Sequence, residues 1–511
     1  MSARHRDRRS TDSAEVEGLR HELAEKVRQI RRQAEEIAEQ KRQIGEQQQR
    51  IGDQQRQIGD QQRQIADLER QLALHQQNST NSSKPPSSDG LAGAARPRGR
   101  GKKSRRKVGG QPGHPGAHRP LVAITQVDEI RPILPEQCQH CGHSLPEQLD
   151  QAQISGVPQR HQVTELPPIQ PRTIEYQCHS VVCPDCGQST RATVPVEARG
   201  HFGPQLTTLI AYLTVVCRMP RRVVEALLAQ VLGIPISLGS IQKCWEEASQ
   251  AVAAPYQELE KQLKDEPVLN VDETGWRTNG DKRFLWAFVA ARYVLYTVAA
   301  SRGSGVLIGL LGAVFRGILC SDRFSAYLKY HQGEAQFCWA HLKRNLLGIV
   351  EFTKSSAVEQ FCRDALAQQA RLFRLWHKFR GGPLDRPQLI RRSLPIRKRI
   401  VELAERHWDS PNREVRNLAR ALFVHKERLF LFLEKEGVQP TNNSVERALR
   451  TGVQWRKICF GNRSAQGEFA TARLLTVAET CDLQRLNILA YLSAAIACHR
   501  RRQPAASLLH R

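Results

Sequence analysis

Pro267-Val-Leu-Asn-Val271-Asp272-Glu-Thr-Gly-Trp276 is a short apolar run that ends on an acid, and its surroundings decide the fold. Two runs rich in β-branched and aromatic residues follow at 284–290 and 293–299, so three consecutive strands are expected, with Asp272-Glu-Thr-Gly as a turn after the first. A helix-like segment at 306–314 precedes a further strand at 317–320, which runs into Ser321-Asp322. Gln336-Phe-Cys-Trp-Ala-His341 then leads from another strand into a helix at 342–352.

The order β-β-β-α-β-α-β-α is that of a ribonuclease-H-like sheet, in which the first and fourth strands lie side by side. Asp272 and Asp322 would then stand at neighbouring strand ends. A third carboxylate is available in Thr441-Asn-Asn-Ser-Val-Glu446-Arg-Ala-Leu-Arg450, where Asn442, Asn443 or Ser444 can cap a helix, and Arg447 and Arg450 put cations beside Glu446. Any one of these acids alone reads as a solvated surface charge. Three together can hold two Mg²⁺ (or Mn²⁺) ions about 3.5–4 Å apart, the arrangement that stabilises both the attacking and the leaving oxygen of an in-line phosphoryl displacement.

Composition points the same way. The chain has 511 residues, with 76 Lys plus Arg against 51 Asp plus Glu, a formal charge of +25 that suits a polyanion such as DNA and disfavours an acidic small-substrate enzyme. No uncharged apolar run reaches the roughly 18–20 residues of a membrane span, and the first residues lack a signal peptide's apolar core. No membrane partner is expected, and the expected location is the prokaryotic cytoplasm, with the nucleoid.

A multidomain α+β organisation is expected. Residues 1–77 carry an apolar residue every seven positions, Val16, Leu23, Ile30, Ile37, Ile44, Ile51, Ile58, Ile65 and Leu72, which predicts a self-associating coiled coil. Its seam is weak, because Gln33, Gln40, Gln47, Gln54 and Gln61 occupy the second core position, and Gly45, Gly52 and Gly59 each lower helix propensity by about 1 kcal/mol relative to Ala. A solvated low-complexity tract is the alternative. Residues 78–120 form a basic Pro/Gly-rich linker. Its Arg96, Arg98, Arg100, Lys102, Lys103, Arg105, Arg106 and Lys107 are uninterrupted by acids and suit a phosphate-neutralising arm or a solubilising spacer.

Residues 121–199 hold Cys138-Gln-His-Cys141-Gly and Cys183-Pro-Asp-Cys186-Gly, two C-x-x-C turns whose four thiolates suit one structural Zn²⁺. Cys178, His140, His143 and His179 lie close enough in sequence to compete as ligands. Residues 200–260 read as helix, glycine turn and Ser237-capped helix, either a helix-turn-helix presenting Ser240, Gln242 and Lys243 to DNA or ordinary helical packing. The catalytic core would occupy 261–352 and, together with the tail, 441–511, around a helical insertion at 353–440.

Asn81-Ser-Ser-Lys-Pro-Pro-Ser-Ser-Asp89, Gly109-Gly-Gln-Pro-Gly-His-Pro-Gly116, the paired cysteine turns, Val271-Asp-Glu-Thr-Gly-Trp276, Cys338-Trp-Ala-His341 and Asn442-Asn-Ser-Val-Glu-Arg447 occur in one order. In this the chain resembles the insertion-sequence-66-like DDE transposases of the transposase C type, over about residues 78–498. The resemblance implies a ribonuclease-H-like domain with Asp272, Asp322 and Glu446 as its acids, and Mg²⁺-dependent transfer of element ends into target DNA. It leaves room for accessory transposition proteins. Cys338 and His341 resemble a C-x-x-H signature of such enzymes and are taken as support for the site rather than as a metal site. The rival readings are a zinc-containing DNA-binding regulator derived from a transposase that has lost catalysis, and a nuclease without strand transfer. The paired turns predict about one equivalent of zinc in the purified protein by elemental analysis, and a clearly lower content removes that assignment.

Overall fold

The computed structural model describes residues 4–76, 113–116, 119–198 and 200–509. The basic residues from Arg96 to Lys107 lie outside them. Contacts divide the chain into two units, 1–88 with 344–366, and 89–343 with 367–511.

In the first unit, α1 (Arg4–Gln76) is an unbroken helix of 73 residues, continuous through the three glycines. Leu23, Ile30, Ile37, Ile44, Ile51, Ile58, Ile65 and Leu72 are each more than half exposed along it.

The second unit begins with the cysteine turns, where β1 (Ser180–Val182) and β2 (Ser189–Arg191) pair as a small hairpin. Four helices follow: α2 (Pro204–Val215), α3 (Arg221–Leu232), α4 (Leu238–Ala251) and α5 (Ala253–Gln262). Ile210, Val224, Leu228 and Ile241 make the core of the first three. Ser237 caps α4 by accepting the N–H of Ser240, as the sequence suggests. Yet α4 is packed against α2 and two C-terminal helices, α14 and α15, whose ranges follow.

The main sheet comprises β3 (Val268–Thr278), β4 (Asp281–Val289), β5 (Val294–Ala299), β6 (Ile318–Ser321) and β7 (Ala335–Phe337), in the order β5-β4-β3-β6-β7. The first three are antiparallel; β6 runs parallel to β3, and β7 parallel to β6. The first and fourth strands of the sheet are therefore neighbours, as expected. One expectation fails: Asp272-Glu-Thr-Gly is not a turn. The strand continues through it to Thr278, paired residue for residue with β4, and the chain reverses at Asn279-Gly280, both with positive φ. Pairing with an adjacent strand overrides the local turn preference of Asp and Gly, and Asn-Gly is itself the stronger hairpin signal.

Around the sheet stand α6 (Ser304–Leu311) and α7 (Ser325–Tyr330), then α8 (Trp339–Phe352) and α9 (Ser356–Arg380). The region expected as a helical insertion is helical, with α10 (Arg386–Arg406), α11 (Arg413–Val424) and α12 (Glu427–Glu434) packed on one another and α12 against β7. The chain then returns through α13 (Asn443–Cys459), α14 (Ala465–Gln484) and α15 (Ile488–Arg500). Helix α13 lies on β3 and β4, and α14 on β5. Tyr296 fixes both helices: its hydroxyl donates to the Ala448 carbonyl (2.8 Å) and its N–H to Thr476 Oγ1 (2.9 Å). On the other side of β4, Trp286 meets Tyr327 of α7 edge to face at 6.1 Å. Strand β4 is thus buried on both faces from Phe284 to Val289. Among the described residues no helix is long and apolar enough to cross a membrane.

The α13–α14 joint depends on Gly461, with φ of +104° and the Arg277 carbonyl oxygen 2.2 Å from where a Cβ would stand. Gly461→Ala should lower stability by about 2 kcal/mol or more, through strain and collision together. Gly309, inside α6 with nothing within 4 Å of its would-be Cβ, should tolerate Ala with a gain of about 0.5–1 kcal/mol. Denaturant unfolding of the two variants checks the contrast.

Candidate functional site at the carboxyl edge of the sheet

Strand register sets the first three positions. Asn270 of β3 pairs with Cys320 of β6, the last paired position of the two strands, and Asp272 and Asp322 each lie two residues beyond it. Ser321 of β6 pairs with Phe337 of β7, so Cys338 is level with Asp322, and its N–H donates to the Ser321 carbonyl at 2.9 Å. Residues 272, 322 and 338 thus lie on three neighbouring parallel strands, Asp322 and Cys338 just past the ends of β6 and β7, whereas Asp272, expected at a strand end, sits within β3, which runs on to Thr278. Asp322 lies just past β6, where its Oδ1 accepts the N–H of Phe324 (2.8 Å) and turns the chain into α7.

Glu446 arrives from α13. Asn442 stands at the N-cap of that helix, but its side chain makes no capping bond. Its Nδ2 donates instead to the Val271 carbonyl at 2.9 Å, and its backbone N–H donates to Cys338 Sγ at 3.1 Å. The Trp339 N–H donates to the Pro440 carbonyl (3.0 Å). These bonds tie the start of α13 to β3 and to the start of α8, and they bring Glu446 Oε1 to 3.5 Å from His341 Nδ1. Cys338, His341 and Glu446 present ligand atoms within 4.8 Å of one another. The Cys338/His341 pair therefore has a third potential ligand that C-x-x-H spacing alone could not reveal.

Two of the acids are shifted. Burial first, then the charges of Glu273, Asp322 and Glu446, holds the Asp272 carboxyl well above the usual carboxylate range. Glu273 is raised as well, chiefly by burial. Its nearly buried carboxylate accepts from Arg302 Nη2 (2.7 Å) and from the Tyr327 hydroxyl. The Arg302 guanidinium lies 4.0 Å from the centre of the Phe324 ring. Glu273, Arg302, Phe324 and Tyr327 so brace the turn that carries Asp322 against the strand that carries Asp272. Sequence reading missed this brace, whose only trace was the acid adjacent to Asp272. Among the described residues the oxygens of Asp272, Asp322 and Glu446 do not all gather within 4.8 Å of one another, although the charges of the other two act on Asp272; carboxylate donors of this kind suit Mg²⁺ or Mn²⁺.

Other expected site residues are placed differently. Arg447 and Arg450 are exposed on α13, on the same helix as Glu446. Lys243 is exposed on α4, but Gln242 is half-buried and its Nε2 donates to Glu246 Oε1 at 2.6 Å, so it does not project outward as expected. Packing of Ile241, Cys244 and Trp245 into the core turns that side of the helix inward.

Each cysteine pair closes into the same local turn. Cys138 N–H donates to the His143 carbonyl and Gly142 N–H to the Cys138 carbonyl; Cys183 and Gly187 repeat the pattern with Gln188, all at 2.9 Å. Backbone N–H groups, foremost those of His140 and Cys186, lower the Cys138 and Cys183 thiols. The donor chemistry of each turn thus fits a thiolate-binding metal. The two pairs are not gathered at one point: among the described residues, the group of three or more ligands within 4.8 Å is Cys338, His341 and Glu446.

The Transposase IS66 family matches residues 199–469, more than half the chain, and the chain belongs to that family. Residues 7–120 match a family of unknown function (DUF6444). Two relatives come from Sinorhizobium fredii. Uncharacterized protein y4qI is 27% identical over 238 residues, 42% of this chain and 43% of its own length. Uncharacterized protein y4hP is 23% identical over 401 residues, 71% of this chain and 70% of its own length.

The raised Asp272 carboxyl makes its ionised form unfavourable in the native state. That penalty is absent below the ordinary carboxylate pKa of about 3.9, grows as pH rises, and is complete above the raised native value. In metal-free buffer at pH 8, Asp272→Asn should therefore melt a few degrees above the unsubstituted protein, with the gap closing towards pH 4. Millimolar Mg²⁺ should raise the melting temperature of the unsubstituted protein far more than that of the variant. Thermal melts across pH, with and without Mg²⁺, check both signs.

Proposed function

We propose that this protein is a DDE transposase that cleaves DNA at the ends of an insertion sequence and joins them to target DNA, with Asp272, Asp322 and Glu446 as its metal-holding acids. The observation that carries the reading is the placement of Asp272 and Asp322 two residues beyond the last paired position of adjacent parallel strands, with Glu446 close enough to raise the Asp272 carboxyl further. The strand order β5-β4-β3-β6-β7, interrupted by a helical segment before the third acid, supports a ribonuclease-H-like core divided between 261–352 and 441–511.

Mg²⁺ or Mn²⁺ held by the three carboxylates supplies activation of the attacking oxygen and stabilisation of the leaving 3′-oxygen. Water displaces the 3′-oxygen at the element end, and the freed 3′-hydroxyl then attacks a target phosphodiester, releasing that strand's 3′-oxygen in turn. Arg447 and Arg450 hold backbone phosphates beside the acids, and exposed Lys457, two turns beyond Arg450, extends the cationic track.

The remaining regions serve that reaction in our reading. The heptad isoleucines of residues 1–77 pair chains, the basic residues from Arg96 to Lys107 neutralise phosphates, and Cys138, Cys141, Cys183 and Cys186 converge on Zn²⁺ when the metal binds. DNA as partner places the protein with the nucleoid in the cytoplasm.

Asp272→Asn should reduce Mg²⁺-dependent cleavage of labelled element ends by about 10³-fold or more, as removal of a metal ligand worth several kcal/mol in the transition state requires. Binding of the same ends, read by gel shift, should be nearly unchanged. Arg447→Ala and Arg450→Ala should each reduce the salt dependence of binding by about one unit of slope. A target plasmid in the assay distinguishes a transposase, which yields joined products, from a nuclease, which does not. Retained cleavage by Asp272→Asn refutes the assignment.

A further inference from the structure

We propose that Cys338, His341 and Glu446 form a Zn²⁺ site separate from the two C-x-x-C turns, with Glu446 belonging at once to this site and to the acid cluster of Asp272 and Asp322. It rests on the proposed function only in sharing Glu446. The binding chemistry stands on its own geometry.

The three residues offer one sulfur, one imidazole nitrogen and one carboxylate oxygen, all within 4.8 Å of one another. His341 Nδ1 and Glu446 Oε1 are 3.5 Å apart, close to the roughly 3.4 Å edge of a tetrahedron whose nitrogen and oxygen ligands lie at about 2.0–2.1 Å from zinc. C-x-x-H spacing places Cys338 and His341 three residues apart at the start of α8, so that both side chains meet on one side of its first turn. Two hydrogen bonds of Asn442, one to Cys338 Sγ and one to the Val271 carbonyl, hold the third ligand's helix in place. The ligand set therefore exists before any ion arrives.

Donor type selects the ion. Mg²⁺ seeks oxygen ligands, whereas a thiolate with an imidazole and one carboxylate suits Zn²⁺. Burial pushes the Cys338 thiol up to about 11, and the Asn442 N–H donated to its Sγ acts against that rise and would hold the sulfur once metal had displaced the proton. Binding replaces the thiol proton, which leaves to solvent, with the Zn–S bond. Cys338 and His341 are buried and the Glu446 side chain is 28% exposed, so the carboxylate side gives the ion its entry and leaves room for a water as fourth ligand. Zinc there would fix the orientation of Glu446, and with it the geometry offered to the catalytic cation.

The test uses the full chain carrying Cys138→Ser and Cys183→Ser, which removes one ligand from each C-x-x-C turn and leaves the proposed site intact. After zinc loading and exhaustive dialysis, this chain should retain about one equivalent of zinc. With Co²⁺ in its place, it should show a thiolate-to-cobalt charge-transfer band with the intensity of a single sulfur. Adding Cys338→Ser, or separately His341→Ala, should remove both signals while a cooperative thermal melt reports an intact fold. Absence of retained zinc and of the band in the parent chain overturns the proposal, and so does zinc retained undiminished in both site variants. No DNA is present, so a failed strand-transfer assay leaves this result standing, and failure here leaves the acid cluster untouched.

Discussion

Negative charge held out of water is the constraint around which the second unit is arranged. Burial, joined by the charges of neighbouring acids, opposes the ionised forms of Asp272 and Glu273, and Asp322 and Glu446 are among the charges that act on Asp272. Such a cluster persists only if the backbone leaves it no way to relax. Ladder hydrogen bonds join the strands that lead to Asp272 and Asp322, and burial of β4 on both faces keeps the strands from sliding. The fourth acid is neutralised within the protein, because Glu273 is paired with Arg302 and Tyr327. Asp272, on which the charges of Asp322 and Glu446 also act, keeps its raised carboxyl.

Asn442 links the parts that register alone cannot. Through one backbone and one side-chain donor it joins the start of α13 to the start of α8, 104 residues away, and to β3, 171 residues away. Its reach explains why Glu446 and His341 meet although neither lies in the sheet.

Much of this was legible in the sequence, and the failures have physical causes. Short apolar and β-rich runs identified the strands, and Asp322 was visible just past the end of one, whereas Asp272, read as a strand end, lies inside β3. Asp272-Glu-Thr-Gly read as a turn because local preference favours one, while nine paired positions with β4 hold it extended. Asn442 read as a cap because Asn suits that position, yet a tertiary acceptor on Val271 captured its side chain. Gln242 looked outward by residue type, and a neighbouring Glu246 one turn away took its amide. The cysteine turns were legible because their hydrogen bonds close within a few residues. Convergence of the two pairs, and the meeting of Cys338 and His341 with Glu446, depend on distant segments whose docking no local spacing encodes.

The discontinuity of the core has a consequence for synthesis on the ribosome. Strands β3 to β7 emerge well before α13 and α14, which cover one face of the sheet and bring Glu446. Until residues 441–484 have been made, Leu285 and Tyr296 lack their covering helices, and the nascent chain carries two of its acids but not the third. A polypeptide interrupted anywhere in the helical segment before residue 441 thus leaves one face of the sheet uncovered and prone to aggregation, and it lacks Glu446 altogether.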